Sequence, residues 1–189
     1  DVERSRGLGD VYKRQDKIDA VSISTPDHTH YPATMDAMER GKHIYLQKPL
    51  THKLDEARHL AKFAMEKGLT TQMGIQNQSR APYRLTRHYI KKGILGKISK
   101  IYVWSFKTWG YDGEPFKEKS DVPDSLDWNL WLGTAPVHSY VAKGYHPGQW
   151  RKLLDFGCGT LGDMGIHIFD TPFKALSLIH ISEPTRPLY

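Results

Sequence analysis

Between residues 20 and 75 the chain alternates short β-rich runs with helical ones, and that alternation constrains its architecture more than any other feature. Ala20-Val21-Ser22-Ile23-Ser24 is a β-rich run that ends at Thr25-Pro26-Asp27. A helix is predicted from about Thr29 to Arg40, stopped by Gly41. His43 to Gln47 reads as a strand. A second helix is predicted from about Leu54 to Lys67, with Leu54, Ala57, Leu60, Ala61 and Ala64 on one face. Asp55 and Glu56 lie in its first turn, Lys67 in its last, and Gly68 at its stop, an order that suits the helix dipole. Thr70 to Ile75 is a third strand. Strand, helix, strand, helix, strand with short connections builds parallel βαβ units.

Open parallel sheets bind ligands in the crevice outside the carboxyl ends of their strands. His43-Ile44-Tyr45-Leu46-Gln47-Lys48-Pro49 runs an apolar strand directly into a lysine at that position, and the following proline fixes the backbone direction. Lys48 is therefore a candidate for chemistry.

After Ile75 the polar segment Gln76 to Pro82 reads as a connection, followed by a helix from about Pro82 to Lys92 that ends at Gly93. A long strand is expected from Ile98 to Trp109, with Tyr102, Trp104 and Phe106 on one face and Ile101 and Val103 on the other, so that both faces need cover. Gly110 to Asp127 is a loop rich in Pro, Gly and charge, and Asp127 to Gly133 is a short helix. Trp109, Trp128, Trp131 and Trp150 suit either a packed core or stacking on the apolar side of a pyranose. Tyr145 to Arg151 is a loop fit to form one wall of a substrate site.

Asp163 and His167 stand four apart and project from one helix face, with Gly162 and Gly165 leaving that surface open to close approach. A carboxylate near the helix start is favoured by the amide dipoles, and an imidazole beside it can take a proton from a hydroxyl near neutral pH. The same residues read equally as a helix cap and a satisfied buried histidine. A zinc set of His28, His30, Asp163 and His167 is the competing chemistry. Cys158, in a Gly-rich turn, reads as small-residue packing or as a nucleophile.

Two segments together carry a resemblance. Thr25-Pro26-Asp27 followed by His30, then Gly41-Lys42-His43-Ile44, then Gln47-Lys48-Pro49 resembles the second half of the nucleotide domain in the Gfo/Idh/MocA oxidoreductases, the relatives of glucose-fructose oxidoreductase and inositol dehydrogenase. Asp155 to His167 resembles the substrate-domain helix of the same family, which carries an aspartate and a histidine four apart. The resemblance implies an α/β chain: the C-terminal half of a Rossmann-like parallel sheet, then the start of an α+β domain with an open, mainly antiparallel sheet. In the family one face of that second sheet often meets a partner subunit, which implies a homo-oligomer.

It further implies NAD or NADP as cofactor, a sugar, cyclitol or related polyol as substrate, and no metal. Thr25, Pro26, Asp27, His30, Gln47, Lys48 and Pro49 would then lie along the cofactor. Lys48 would hydrogen-bond the reacting oxygen and the cofactor ribose, Asp163 would orient the site, and His167 would take the hydroxyl proton. The chain departs from the family pattern at Gln47, where glutamate is usual, so an amide replaces a carboxylate beside Lys48. Some relatives use bound NAD as a transient oxidant in hydrolysis or elimination, which makes an NAD-dependent glycosidase or lyase the alternative. A binding protein that keeps the fold without turnover is a third reading, opposed by the joint presence of Lys48, Asp163 and His167.

The family's glycine-rich phosphate turn belongs upstream of Ala20, where it would let the backbone approach the pyrophosphate. Gly7-Leu8-Gly9 follows no apolar strand and does not fit that role. Both ends of the chain carry another signal. Back-translating Asp10-Val11-Tyr12-Lys13-Arg14-Gln15 as GATGTGTATAAGAGACAG gives a reverse complement, CTGTCTCTTATACACATC, that encodes the residues at Leu176 to Ile181. This resembles a transposon-end adapter of sequencing libraries, continued by Ser182 to Arg186, and such scars are excluded from fold reasoning. The expectation is therefore a scar over 1–15, a partial dinucleotide-binding domain over 16–76, a partial substrate and oligomerisation domain over 77–175, and a second scar over 176–189. Both scars are expected to be poorly packed, and a chain without the phosphate turn is expected to bind NAD weakly.

Composition adds class limits. About 25% of residues are charged and 39% hydrophobic, and every apolar run is far shorter than a membrane span. Setting the two scars aside moves the net charge only from +6 to +5. The cations read as scattered over solvated helix faces, which argues against a nucleic-acid surface. A single cysteine excludes an internal disulfide.

Overall fold

The computed structural model describes residues 18–110 and 118–178, so the two stretches read as scars lie outside the described residues apart from 176–178. The chain divides into two compact units, with the boundary after Gly74.

The first unit is a three-stranded parallel sheet in the order β1-β2-β3 with two helices. β1 spans Ala20–Ile23, α1 Asp27–Glu39, β2 His43–Gln47, α2 Leu54–Lys67 and β3 Thr71–Gly74. The register pairs Ala20 with His43 and Ile23 with Leu46, then Ile44 with Thr71 and Gln47 with Gly74. Each expected element of this unit is present. α1 begins two residues earlier than its sequence pattern suggests, because Pro26 in extended conformation serves as its cap residue and its carbonyl receives the Thr29 N–H. Gly41 and Gly68 take positive φ just past the two helices, where a side chain would be strained. Glu56 reaches back to the Lys53 N–H and closes the start of α2.

Ile23, Ala37, Met38, Ile44, Leu46, Leu60 and Ala64 form the core of this unit. The packed arc of α2 runs through Ala57, Leu60, Phe63 and Ala64 rather than through Leu54 and Ala61. Leu54 stays 67% exposed at the near end of the helix, and Phe63 takes up the contact instead. Tyr31 on α1 bonds His59 on α2 at 2.6 Å and ties the two helices together.

The second unit contains α3 (Ala81–Lys91), α4 (Trp128–Leu132), α5 (Gly159–Ile168) and α6 (Asp170–Ala175), with single 3-10 turns at Gln76–Ser79 and Gln149–Lys152. Gln78 joins the start of this unit to α6 through the Asp170 carboxylate at 2.7 Å and the Lys174 ammonium at 2.6 Å. Its core is aromatic. Trp128 stacks on Trp131 with centroids 4.8 Å apart, and both meet Tyr145. Phe156, fully buried, lies edge-on to Tyr145. Trp128, Trp131 and Trp150 therefore serve packing, the first of the two roles their sequence allowed.

Two expectations fail here. Residues 98–109 form no strand: among the described residues no second strand offers them a ladder, and an extended segment without one leaves its N–H and C=O groups to solvent. Tyr102, Trp104 and Phe106 are 71%, 68% and 93% exposed, while Val103 and Ser105 between them are half-buried, so the alternation persists without the sheet. The cations are also less scattered than their sequence suggests. Arg80, Arg84, Arg87 and Lys91 follow one line along α3, and the last three border one concavity with His88.

Candidate functional site: two strand ends and a buried carboxylate

In the first unit the candidate residues converge on the carboxyl edge of the sheet because two neighbouring parallel strands end side by side. Thr25 to Asp27 follows β1 and Lys48-Pro49 follows β2. Asp27 opens α1 and is buried, and Thr25 is exposed at the rim. Lys48 is half-buried, its peptide to Pro49 is cis, and its N–H donates to Gln47 Oε1 at 3.2 Å. The amide that replaces the expected carboxylate is thus turned back onto its own backbone.

Gly74, opposite Gln47 in the register, leaves the room this requires. A Cβ there would collide with Gln47 Oε1 and the Tyr45 hydroxyl. Sequence reasoning passed over Gly74, and its only signal was a glycine closing the third strand.

His30 is placed differently from a residue that presents a polar edge to a cofactor. Its side chain is wholly buried, with Nδ1 2.8 Å from the Pro49 carbonyl and Nε2 2.8 Å from the Thr25 carbonyl. The ring therefore spans the two strand ends from behind. His30 faces these two carbonyls, and no group of three or more His, Cys, Asp or Glu suited to a metal occurs among the described residues.

In the second unit Asp163 and His167 lie on α5 one turn apart, Asp163 buried and His167 half-buried. Arg151 Nε donates to Asp163 Oδ1 at 3.2 Å. The guanidinium also lies 4.3 Å from the ring centre of Trp150 and 5.8 Å from that of Trp109. A buried carboxylate is costly unless it is paired, and Arg151 supplies the pair while two aromatic faces shelter the cation. From sequence Arg151 was only a member of a loop. Its signal, a cation beside Trp150, gains meaning only when the fold brings it to Asp163.

Gly162 does not open the helix to a ligand as its sequence suggested, because Cys158 fills the space its side chain would take. This gives Cys158 the packing role. Gly157 is required for another reason, since a Cβ there would meet the backbone of Arg151. That close approach sets where Arg151 stands.

The second unit also holds a cavity of about 770 Å³ lined by Trp109, His138, Tyr145, Asp155, Phe156 and Thr160 among others, and neither Asp163 nor His167 lines it. His138 Nε2 lies 2.8 Å from Asp155 Oδ2 at its wall. Burial, and secondarily the Asp155 charge, raises the Tyr145 phenol above its ordinary range.

The model of the oxidoreductase family with an NAD-binding Rossmann fold matches residues 6–75, and the model of that family's C-terminal alpha/beta domain matches residues 81–178. The matches extend into both stretches read above as adapter translations. Levoglucosan dehydrogenase of Pseudarthrobacter phenanthrenivorans is 25% identical over 154 residues, which cover 81% of this chain and 32% of that protein. The NAD-dependent scyllo-inositol 2-dehydrogenase of Bacillus subtilis is 36% identical over 80 residues, or 42% of this chain and 23% of that one. An inositol dehydrogenase homologue of Azotobacter vinelandii, solved with NADH and myo-inositol, is 30% identical over 46% of this chain and 24% of its own, with a TM-score of 0.43. The chain thus spans about a third or less of the relatives it matches. With a parallel βαβαβ unit followed by a second α/β-family domain, and both family models matched in order, the chain belongs to the Gfo/Idh/MocA oxidoreductase family.

Proposed function

We propose that the protein is an NAD(P)-dependent oxidoreductase that moves a hydride between a sugar, cyclitol or related polyol and nicotinamide. The observation that carries this reading is the side-by-side ending of β1 and β2 at Thr25-Pro26-Asp27 and Gln47-Lys48-Pro49, on the sheet edge where such folds take their ligands. The groups there suit the nicotinamide half of the cofactor: the half-buried Lys48 and the exposed rim at Thr25. When bound, the nicotinamide supplies the hydride acceptor or donor.

The chain's own residues do the rest. His167 takes the proton from the reacting hydroxyl, and Lys48 donates a hydrogen bond to the same oxygen and to the cofactor ribose. Asp163, held by Arg151, orients the polyol and the imidazole. Thr25, Pro26, Asp27, Gln47 and Pro49 form the cofactor wall, and His30 stands behind it with its two ring nitrogens each 2.8 Å from a carbonyl of Pro49 or Thr25. This assignment requires Lys48 and His167 to serve one substrate carbon.

Amide resonances of the labelled chain, followed while NAD and then scyllo-inositol are added, test the reading. Because NAD is expected to bind this chain weakly, the expected result is a shift at Thr25, Asp27, Gln47 and Lys48 that still rises at high NAD, and further shifts at Asp163 and His167 with the polyol. Shifts confined to other parts of the chain, or none at all, would contradict it.

A further inference from the structure

The turn after β2 is held on both sides of Lys48. Before it, the Lys48 N–H donates to Gln47 Oε1, and after it, His30 Nδ1 stands 2.8 Å from the Pro49 carbonyl oxygen. The other end of the same ring reaches the Thr25 carbonyl at 2.8 Å, and no part of the side chain is exposed. Carbonyl oxygens only accept, so each contact is a hydrogen bond only where the facing nitrogen carries a proton. A neutral ring supplies one such proton and an imidazolium two. Buried hydrogen bonds of this kind are strong and directional because no water competes for them.

We propose that His30 is a positioning residue for Lys48, acting through an Nδ1–H bond to the Pro49 carbonyl that sets where the Lys48 turn, and so its ammonium, stands. The contact with Thr25 registers the turn after β1 against it. The significance of the position rests on the role given to Lys48 above, but the bond itself is a property of the chain without cofactor or substrate.

Two substitutions separate the two ends of the ring. His30→Asn puts an amide nitrogen near the place of Nδ1, whereas His30→Gln puts one near the place of Nε2. In amide spectra of the unliganded chain, His30→Asn should leave the Lys48 and Leu50 resonances close to their original positions and displace those next to Thr25. His30→Gln should do the reverse. Leu60 and Ala64, in the α2 core, serve as the folding control and should stay in place in both.

Equal displacement by both variants, or retention of the Lys48 resonance in the Gln variant alone, would overturn the proposal. If neither variant folds, the unsubstituted chain decides the matter by nitrogen–proton correlation of the His30 ring. A proton on Nδ1 is expected, and a ring protonated on Nε2 alone overturns it. Failure of the redox assignment would leave all of these readouts unchanged.

Discussion

The first unit closes each strand against the one that follows it across a single helix, whereas the second closes an aromatic cluster from rings carried by α4 and by loops as far on as Phe156. In the sheet, Ala20 meets His43 and Ile44 meets Thr71, separations of one crossover each. In the cluster, Trp128, Tyr145 and Phe156 meet although little regular structure lies between them, and Trp128 Nε1 reaches the His138 carbonyl at 2.7 Å to hold one of those loops. The difference teaches where a polar backbone finds its partners. A parallel βαβ pair carries its own ladder, so it needs only its neighbours. The Ile98 to Trp109 segment has the alternation of a strand but no ladder among the described residues, and its aromatic row stands in solvent.

The largest effect that would break this comparison comes from the centre of the second unit. Phe156→Ala should cost about 3–5 kcal/mol, the range for removing a buried aromatic ring. Its effect should stop at the unit boundary: hydrogen exchange of the α4 and α5 amides should speed up while β2 amides keep their protection. Equal loosening of both units would show that they fold as one.

In the first unit the expected change has the opposite sign. Thr34 is 2% exposed and its hydroxyl has no hydrogen-bond partner among the described residues. Thr34→Val keeps the shape and removes that cost, so denaturant unfolding should show a gain of about 1–2 kcal/mol. A loss would mean that a water satisfies the hydroxyl.

How far the molecule was legible in its sequence follows from the same contrast. β1, α1, β2, α2 and β3 could be read because periodicity, capping and turn residues are local, and all five act within about 55 residues of chain. Lys48 could be placed at a strand end for the same reason. Arg151 could not be placed on Asp163, since the two stand on a 3-10 turn and a helix whose approach depends on Gly157 meeting the Arg151 backbone. The resemblance put His30 along the cofactor, but sequence does not show which way a ring turns, and here both ring nitrogens face the Thr25 and Pro49 carbonyls. Gly162 misled for a related reason, because the space it leaves is filled by Cys158 from the preceding turn.

A smaller effect sharpens the account of the aromatic cluster through pH. The Tyr145 phenol is raised from 10.0, first by burial and then by the Asp155 charge. Below pH 10 both folded and unfolded chains keep the proton. Above it the unfolded chain loses the proton first, so stability should fall as pH rises through that range. Tyr145→Phe should flatten this fall in urea titrations at rising pH, and an unchanged slope would assign the fall to other groups.

The smallest effect is expected where the second unit shows the most apolar surface. Phe106, 93% exposed, packs little, and Phe106→Ser should change unfolding by no more than about 0.5 kcal/mol. A loss of several times that size would show that the aromatic row is covered in solution.

The central claim is that Lys48 stands where the nicotinamide half of the cofactor binds. Brief amine labelling of the chain with and without NADH, read peptide by peptide in a mass spectrometer, tests it most directly. NADH is expected to slow labelling of Lys48 while Lys53 and Lys62, exposed before and on α2, react at unchanged rates. Lys48 labelled equally fast at every NADH concentration up to a large excess, or protection that appears at Lys53 and Lys62 instead, would contradict it.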